Sequence, residues 1–326
     1  MSSHPQPIAV LSFLSRADAT PLPARRRSAG HLLDHDGAIL VDPAADPARH
    51  AFGSDPNLNF ETWGDYWRKV HGVRFLHAEG DDAILDRLLR YDQIHRVAAA
   101  PSRLTPPPYH PPLDADGRLH TSVIGQLPPY RRPAWDGAAY LVFAERDDVA
   151  AVLGSARVRR AILPEDRVMF REIAPLLARQ HVVLPSPDGR DAVTMIRTHT
   201  RRAGVDRHAV QDHWRGAHAD LVLAQPDTRR LLRSYVQLHN IGPQAEGEPF
   251  FHAATAPFDV VSLLGFATMS DAEEFCISDG ARTISDAEAQ VMIPAGHDDF
   301  TGVTFHLRDR IAPASAARQP TVPVTD

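Results

Sequence analysis

Residues Asp206 to Asn240 read DRHAVQDHWRGAHADLVLAQPDTRRLLRSYVQLHN, a pattern that predicts one amphipathic helix followed by one strand. Apolar residues at helical spacing predict a stripe that packs against a sheet, namely Val210, Trp214, Ala217 and Leu221. His218 follows Trp214 by one helical turn, so we expect the two side chains on the same face. The spacing therefore places His218 at the edge of a buried stripe.

The strand at the end of this stretch has two chemically different faces. Tyr235, Gln237 and His239 alternate with Val236 and Leu238, and alternate residues of a strand point to the same side. We expect Val236 and Leu238 to lie under helices and the polar face to point the opposite way. That polar face then needs a cover, which a second copy of the unit can supply.

An earlier segment, residues 60–97, repeats both motifs. The Trp-Arg-x-x-His motif occurs as Trp67, Arg68 and His71 and again as Trp214, Arg215 and His218. The Tyr-x-Gln-x-His motif occurs as Tyr91, Gln93 and His95 and again as Tyr235, Gln237 and His239. Beyond these motifs, Trp135 onward and Phe258 onward stay in register at one offset of 123 residues. A repeat of this length predicts two similar structural units.

Composition restricts the class of protein. The 326 residues suffice for two domains, and a net charge of −6 gives no general attraction to nucleic acid or anionic lipid. The single cysteine, Cys276, rules out an internal disulfide framework and is consistent with a cytoplasmic protein. No run approaches the roughly 18 apolar residues of a membrane span, and no leader pattern is present. We expect neither a nucleic acid nor a membrane partner.

Each unit is predicted to contain the elements β-α-β-β-α-β, a ferredoxin-like arrangement in an α+β fold. Residues 1–184 form the first predicted domain, with long insertions at 15–59 and 98–133. Residues 185–311 form the second, and a disordered tail follows at 312–326. Proline-rich runs predict surface loops for the insertions.

The two motifs, a first strand that ends in basic residues, and an aromatic-Asp pair opening the third strand resemble the EthD family of the dimeric α/β barrel superfamily. Residues 192–308 carry the resemblance well, and residues 60–184 carry it with insertions. The resemblance implies that the two halves pair sheet to sheet within one molecule. It also implies a cavity that the shared His and Tyr side chains face. Association into a homo-oligomer is left open.

A neutral imidazole can accept a proton near neutral pH, and a phenol can donate a hydrogen bond to a developing oxyanion. We therefore predict acid–base catalysis by His218, Tyr235 and His239 and, in the first copy, by His71, Tyr91 and His95. Predicted substrate contacts are Gln237, Gln93, Trp214, Trp67 and Arg197. Together with the resemblance, these residues predict an isomerase, cyclase or dehydratase that acts without a metal or other cofactor. The expected substrate is a small hydrophobic carbonyl or aromatic metabolite.

Other interpretations stay open at this point. The His and Tyr side chains are also consistent with a structural polar network, and Trp67 and Trp214 with core packing. A non-catalytic small-molecule binding protein or a His-ligated metal or haem enzyme are the alternatives for function. The first copy has Asp92 where the second has Val236, so one half is expected to have lost its site. The motifs GxSxG, GxGxxG and GxxxxGK[ST] are absent, which gives no support to the enzyme classes that they mark.

Overall fold

The chain forms strands and short helices in a computed structural model that describes residues 6–16, 60–76, 83–97, 135–162, 170–293 and 299–311. The strands are β1 (Ile8–Arg16), β2 (Leu88–Arg96), β3 (Gly137–Phe143), β4 (Phe170–Leu184), β5 (Val193–His199), β6 (Leu232–Asn240), β7 (Val260–Phe266) and β8 (Phe300–Asp309). Strand β1 extends into the predicted insertion 15–59 as far as Arg16. The remainder of that insertion, the insertion 98–133 and the tail 312–326 lie outside the described residues.

We call β1 to β4 with their helices the first half and β5 to β8 with theirs the second half. The helices are α1 (Phe60–Tyr66), α2 (Gly72–Arg74), α3 (Arg146–Leu153), α4 (Arg207–His213), α5 (Ala219–Ala224), α6 (Pro226–Leu231), α7 (Met269–Ile277) and α8 (Asp279–Val291). Wider π-helical turns occupy Trp67–His71, Val158–Ile162 and Trp214–His218, and a 3-10 turn occupies Ala83–Arg87. Within the described ranges, no helix is long and apolar enough to cross a membrane.

The strands form one closed barrel in the order β1-β3-β2-β8-β5-β7-β6-β4, and all neighbouring pairs are antiparallel. The two halves meet at two seams, β2 against β8 and β4 against β6. Closure through both seams leaves none of these strands at an open sheet edge. The predicted mixed α/β fold, with a barrel that closes within one chain, is confirmed.

Apolar side chains from all eight strands meet inside this barrel. Phe13 is central, since its ring centroid lies 5.6 Å from that of Trp135, 5.9 Å from Phe258 and 6.5 Å from Phe300. A barrel of this strand number leaves an interior that side chains can fill. The interior therefore holds a largely apolar core contributed by both halves, and the predicted lining by Tyr91 and Tyr235 is not found there.

The predicted orientation of the second motif is consequently wrong. Leu238 and Val236 belong to the core inside the barrel, whereas Tyr235 packs with the helices of the second half. Ile94 and Tyr91 divide between the two sides in the same way in the first half. The Tyr235 hydroxyl has a hydrogen-bonding partner in the helix layer, His218, while Leu238 has apolar neighbours inside the barrel.

Candidate active site

Both Trp-Arg-x-x-His motifs form π-helical turns, which differ from the regular α-helix that the spacing predicts. The backbone N–H groups of Gly72 and Ala219 donate to the carbonyls of Trp67 and Trp214, five residues earlier. Such wide turns occur mostly as single turns and frequently at functional sites.

The π turn changes which side chains of the second helix are buried. A spacing of four residues stays in line across the wider turn, and the buried stripe is Val210, Trp214, His218 and Val222. Ala217, predicted in the stripe, is exposed. The ring of His218 stacks on that of Trp214, with 3.8 Å between centroids and 13° between planes. His218 is therefore inside the helix–sheet interface and not at its border.

A continuous set of hydrogen bonds runs from strand β5 through helix α8 to strand β6. Arg197 donates from both terminal nitrogens to Glu288, at 3.1 Å and 2.6 Å. Oε1 of Glu288 lies 3.1 Å from Nε2 of His218, and Nδ1 of His218 lies 3.2 Å from the hydroxyl of Tyr235. We call Arg197, Glu288, His218 and Tyr235 the second-half relay.

The environment fixes the protonation of each member of this relay. Burial alone would raise the pKa of Glu288, but Arg197 and His199 lower it to about 2, so the side chain is a carboxylate. Burial lowers the pKa of His218, a shift that Glu288 opposes only in part, and the imidazole is neutral at pH 7. Its Nε2–H then donates to Glu288, which leaves Nδ1 to accept from Tyr235. Burial also raises the pKa of Tyr235, which stays protonated.

Gln237 holds the phenol of Tyr235 in place. Its amide nitrogen donates to the Tyr235 hydroxyl at 3.0 Å and to the carbonyl of Trp214 at 2.8 Å. Its carbonyl lies 3.0 Å from Nε2 of His239, and burial lowers the pKa of that histidine to about 3. His239 is thus linked to the relay through Gln237, while its ring lies 4.3 Å from that of His181 across the β4–β6 seam.

Three residues of this site were not predicted from the sequence. Glu288 is the first, although Ala281, Ile284 and Glu288 share the buried stripe of α8, and a carboxylate in such a stripe is a usable signal. The hydroxyl of Ser262 lies 3.2 Å from Nε2 of His199 and accepts from the indole of Trp214 at 3.4 Å. Ser262 and His199 come from strands β7 and β5, and nothing in their local sequence sets them apart.

In the first half, Gln93 makes the same hydrogen bonds as Gln237 makes in the second half. Gln93 donates to the carbonyl of Trp67 at 2.9 Å and to the hydroxyl of Tyr91 at 2.8 Å, and its carbonyl lies 3.1 Å from Nε2 of His95. Here, however, Trp67 stacks on His95, with 4.3 Å between ring centroids. His71 instead lies against aromatic rings, 5.3 Å from Phe75 and 5.7 Å from Phe170.

The strand register identifies what the first half has in place of the relay. Arg197 pairs with Ser262 between β5 and β7, and Ser12 pairs with Ala139 at the corresponding place between β1 and β3. Leu14 likewise occupies the place of His199. Glu165 stands 123 residues before Glu288 in the sequence, outside the described residues. The described strands of the first half thus carry apolar or small side chains where the second half carries Arg, His and Ser.

The predicted site residues therefore form two groups, one under the helices of each half. The second-half group contains His218, Tyr235, His239, Gln237, Trp214 and Arg197; the first-half group contains His71, Tyr91, His95, Gln93 and Trp67. The apolar barrel core separates the two groups. Asp136 and Asp259 accept from the backbone N–H groups of Arg16 and Arg201 at 2.9 Å and 2.7 Å, so both bind the backbone near the end of a strand. Across the described part of the chain, no group of at least three His, Cys, Asp or Glu side chains is placed to hold a metal ion.

Residues 202–291 match the EthD domain, a segment that includes Trp214, His218, Tyr235, Gln237, His239, Ser262 and Glu288. The predicted resemblance is confirmed for this segment. Among solved structures, a protein from Lactobacillus acidophilus NCFM assigned as a monooxygenase is 9% identical, with a TM-score of 0.46 over 94% of this chain and 97% of that one. An anthrone oxidase-like protein is 9% identical, with a TM-score of 0.46 over 96% and 98%. A mutant chlorite dismutase from Candidatus Nitrospira defluvii is 10% identical, with a TM-score of 0.39 over 92% of each chain. No curated protein matches the chain.

Proposed function

We propose that the second half is an acid–base enzyme that isomerises, cyclises or dehydrates a small hydrophobic carbonyl or aromatic metabolite without a cofactor. The observation that carries this proposal is the second-half relay, in which a bidentate Arg–Glu pair orients a neutral histidine toward a tyrosine hydroxyl. A carboxylate that fixes the tautomer of a histidine, which in turn accepts from a hydroxyl, is a common arrangement for activating that hydroxyl. The class of enzyme is therefore a lyase or an isomerase.

In this mechanism Tyr235 and His218 move one proton between them. As a carbon next to the substrate carbonyl loses a proton to the Tyr235 oxygen, the tyrosine proton passes to Nδ1 of His218. The imidazolium that forms is stabilised by Glu288, which Arg197 keeps ionised. In the second step His218 returns its proton to the Tyr235 oxygen, and Tyr235 gives up the proton that it took from the substrate. That proton goes to another carbon in isomerisation, or to a leaving hydroxyl in dehydration. Trp214 stacks on the ring of His218 and fixes its orientation.

We also propose that the chain consists of two ferredoxin-like repeats, residues 1–184 and 185–311, and that only the second contains a working site. The strand order β4-β1-β3-β2 in one half and β8-β5-β7-β6 in the other supports the repeat. The matching bonds of Gln93 and Gln237 support it further. Ser12 and Ala139 in place of Arg197 and Ser262 support the loss of function in the first half. A cytoplasmic location and a lack of metal stay predictions from the sequence.

A test that needs no knowledge of the natural substrate is exchange of carbon-bound hydrogen. Phenylacetone in D2O is a small aromatic ketone whose exchange at carbon can be followed by proton NMR. We expect the wild-type chain to accelerate exchange over buffer and His218→Ala to return it to the buffer rate with an unchanged circular dichroism spectrum. Tyr235→Phe should behave in the same way, because it removes only the hydroxyl.

The matched control is His208→Ala, which removes an exposed histidine of helix α4 and should leave the exchange rate unchanged. Equal acceleration by His218→Ala and the wild type would contradict the catalytic proposal. Saturable binding of phenylacetone without accelerated exchange would instead favour the non-catalytic binding protein.

A further inference from the structure

A hollow of about 260 Å³ lies at the end of strand β5, where the chain leaves the barrel after His199. Its walls come from the turn at 200–205, from the start of α4 and from the segment before β7. Polar and turn-forming members of the lining are Thr200, Arg201, Arg202, Gly204, Arg207 and Gln244. The volume is close to the lower end of small-molecule pockets, which is about 300 Å³.

Three arginines contribute to this lining, which contains no acidic residue from the described part of the chain. Two of these arginines, Arg201 and Arg207, contact the fully buried carboxylate of Asp259. Asp206 is exposed at the start of α4 and accepts from the backbone N–H of Ala209 at 2.9 Å. Positive charge therefore exceeds negative charge around the hollow.

Each guanidinium is held in a fixed position by its protein contacts. Arg202 donates from Nε to the carbonyl of Met292 at 3.2 Å and from Nη2 to that of Ala289 at 2.6 Å. Arg207 donates from Nε to Asp259 at 2.6 Å and from Nη2 to the carbonyl of Ala256 at 3.2 Å. Within the described residues, these contacts leave Nη1 of both side chains for another acceptor. Arginines fixed in this way present forked donors that match carboxylate and phosphate oxygens.

Comparison with the first half shows which of these arginines have a structural role common to both halves. Arg16 and Arg201 both donate their backbone N–H to a buried aspartate, Asp136 or Asp259, at the same place in the two halves. Arg201 thus has a structural role that the barrel uses twice. Arg202 and Arg207 add two further cations on the same side of the second half.

We propose that this hollow binds the oxyanion group of a small molecule, with Arg202 and Arg207 as its direct ligands. A carboxylate or a phosphate presents the same charged oxygens and fits the same donors. Thr200 and Gln244 supply neutral hydrogen-bonding groups at the wall, and Val205, Ala256 and Pro257 supply apolar surface for the rest of the ligand. This site does not depend on the acid–base role of His218.

Isothermal titration of the full chain in low-salt buffer tests the site, with inorganic phosphate and benzoate as separate probes. We expect saturable binding of one molecule per chain for at least one probe. Arg202→Gln should weaken it about tenfold, because the amide can still donate to the carbonyl of Ala289 while the charge is lost. Binding of phosphate alone identifies a phosphorylated ligand, and binding of benzoate alone identifies an organic carboxylate.

Arg229→Gln is the matched control, since Arg229 is an exposed arginine that also donates to a backbone carbonyl, that of Leu223 at 3.3 Å. This variant should bind as the wild type does. Arg207→Gln provides a second test, with thermal unfolding measured alongside because Arg207 contacts the buried Asp259. The proposal is overturned if neither probe binds saturably, or if Arg229→Gln weakens binding as much as Arg202→Gln.

Discussion

The two halves of this barrel share the hydrogen bonds between sheet and helix but differ in the charged groups around them. Gln93 and Gln237 each join a Trp carbonyl, a Tyr hydroxyl and a His ring. Only the second half adds the buried pair of Arg197 and Glu288 in the described residues. The common bonds therefore belong to the construction of a half, and the added pair distinguishes the second half from the first.

The largest expected difference between the halves comes from breaking this buried pair. Glu288→Gln leaves the charge of Arg197 in a protein interior without its bidentate partner, which should lower the free energy of unfolding by about 3 kcal/mol. Urea unfolding measures the loss. Ser12→Ala, at the place of Arg197 in the first half, should change it by less than about 0.5 kcal/mol. Similar losses for the two variants would mean that the relay is not the distinguishing feature.

Replacing the shared glutamines should affect both halves alike. Gln93→Leu and Gln237→Leu each leave a buried Trp carbonyl and Tyr hydroxyl without their amide donor, which should cost about 1–3 kcal/mol. Thermal or urea unfolding of the two variants under one set of conditions gives the comparison. A much smaller loss for one variant would show that the helix of that half is not held by its Gln.

The two seams should respond to pH in opposite directions. At the β2–β8 seam His306 lies 2.9 Å from Asp92, and although burial opposes it, this contact raises the pKa of His306. The contribution of His306 to the free energy of unfolding is fully present below its unfolded pKa of about 6.5. It is lost as pH rises through the higher pKa of the folded state. At the β4–β6 seam burial lowers the pKa of His181 to about 4 and of His239 to about 3. These two histidines therefore lower the free energy of unfolding as pH falls below about 6.5 toward those pKa values.

Urea midpoints measured from pH 4 to pH 9 distinguish the seams. His306→Gln should flatten the alkaline side of the profile, and His239→Gln should flatten the acidic side. If His306→Gln leaves the alkaline side of the profile unchanged, the contact with Asp92 does not determine how the stability of this seam depends on pH.

The smallest effect is expected at the arginines of the repeated motif. Arg68 contacts Asp65 at 2.8 Å, and Arg215 contacts Asp212 at 2.9 Å, both at the helix surface. Arg215→Ala should cost less than about 0.5 kcal/mol, because exposed ion pairs contribute little. Arg68→Ala should cost somewhat more, since Arg68 also lies 4.6 Å from the ring centre of Phe305. Equal costs in paired unfolding experiments would remove this distinction.

The sequence was sufficient to predict the mixed α/β barrel and several of the side-chain contacts within the second half. The Trp-Arg-x-x-His spacing placed His218 beside Trp214, and alternation in β6 grouped Tyr235, Gln237 and His239. It was not sufficient to predict which face of the strand lies inside the barrel. Alternation with a period of two defines two faces, and in a closed barrel covered by helices both of them are buried.

Glu288 and Ser262 were missed for a different reason. Their roles depend on contacts with residues distant in the sequence, since Glu288 meets Arg197 from 91 positions away and Ser262 meets His199 from 63 positions away. Local periodicity describes neighbours along one helix or strand and does not predict contacts between residues that are distant in the sequence. The π turn was missed as well, because α and π turns both place residues four apart near one another.

Closure of the barrel within one chain has a consequence for how its halves can change. In a pair of identical subunits, each substitution appears twice, and the association weakens on dilution. Here a peptide linker keeps each half at a constant, high local concentration relative to the other, whatever the amount of protein. A substitution in one half then changes that half alone, so the two halves can come to carry different buried groups.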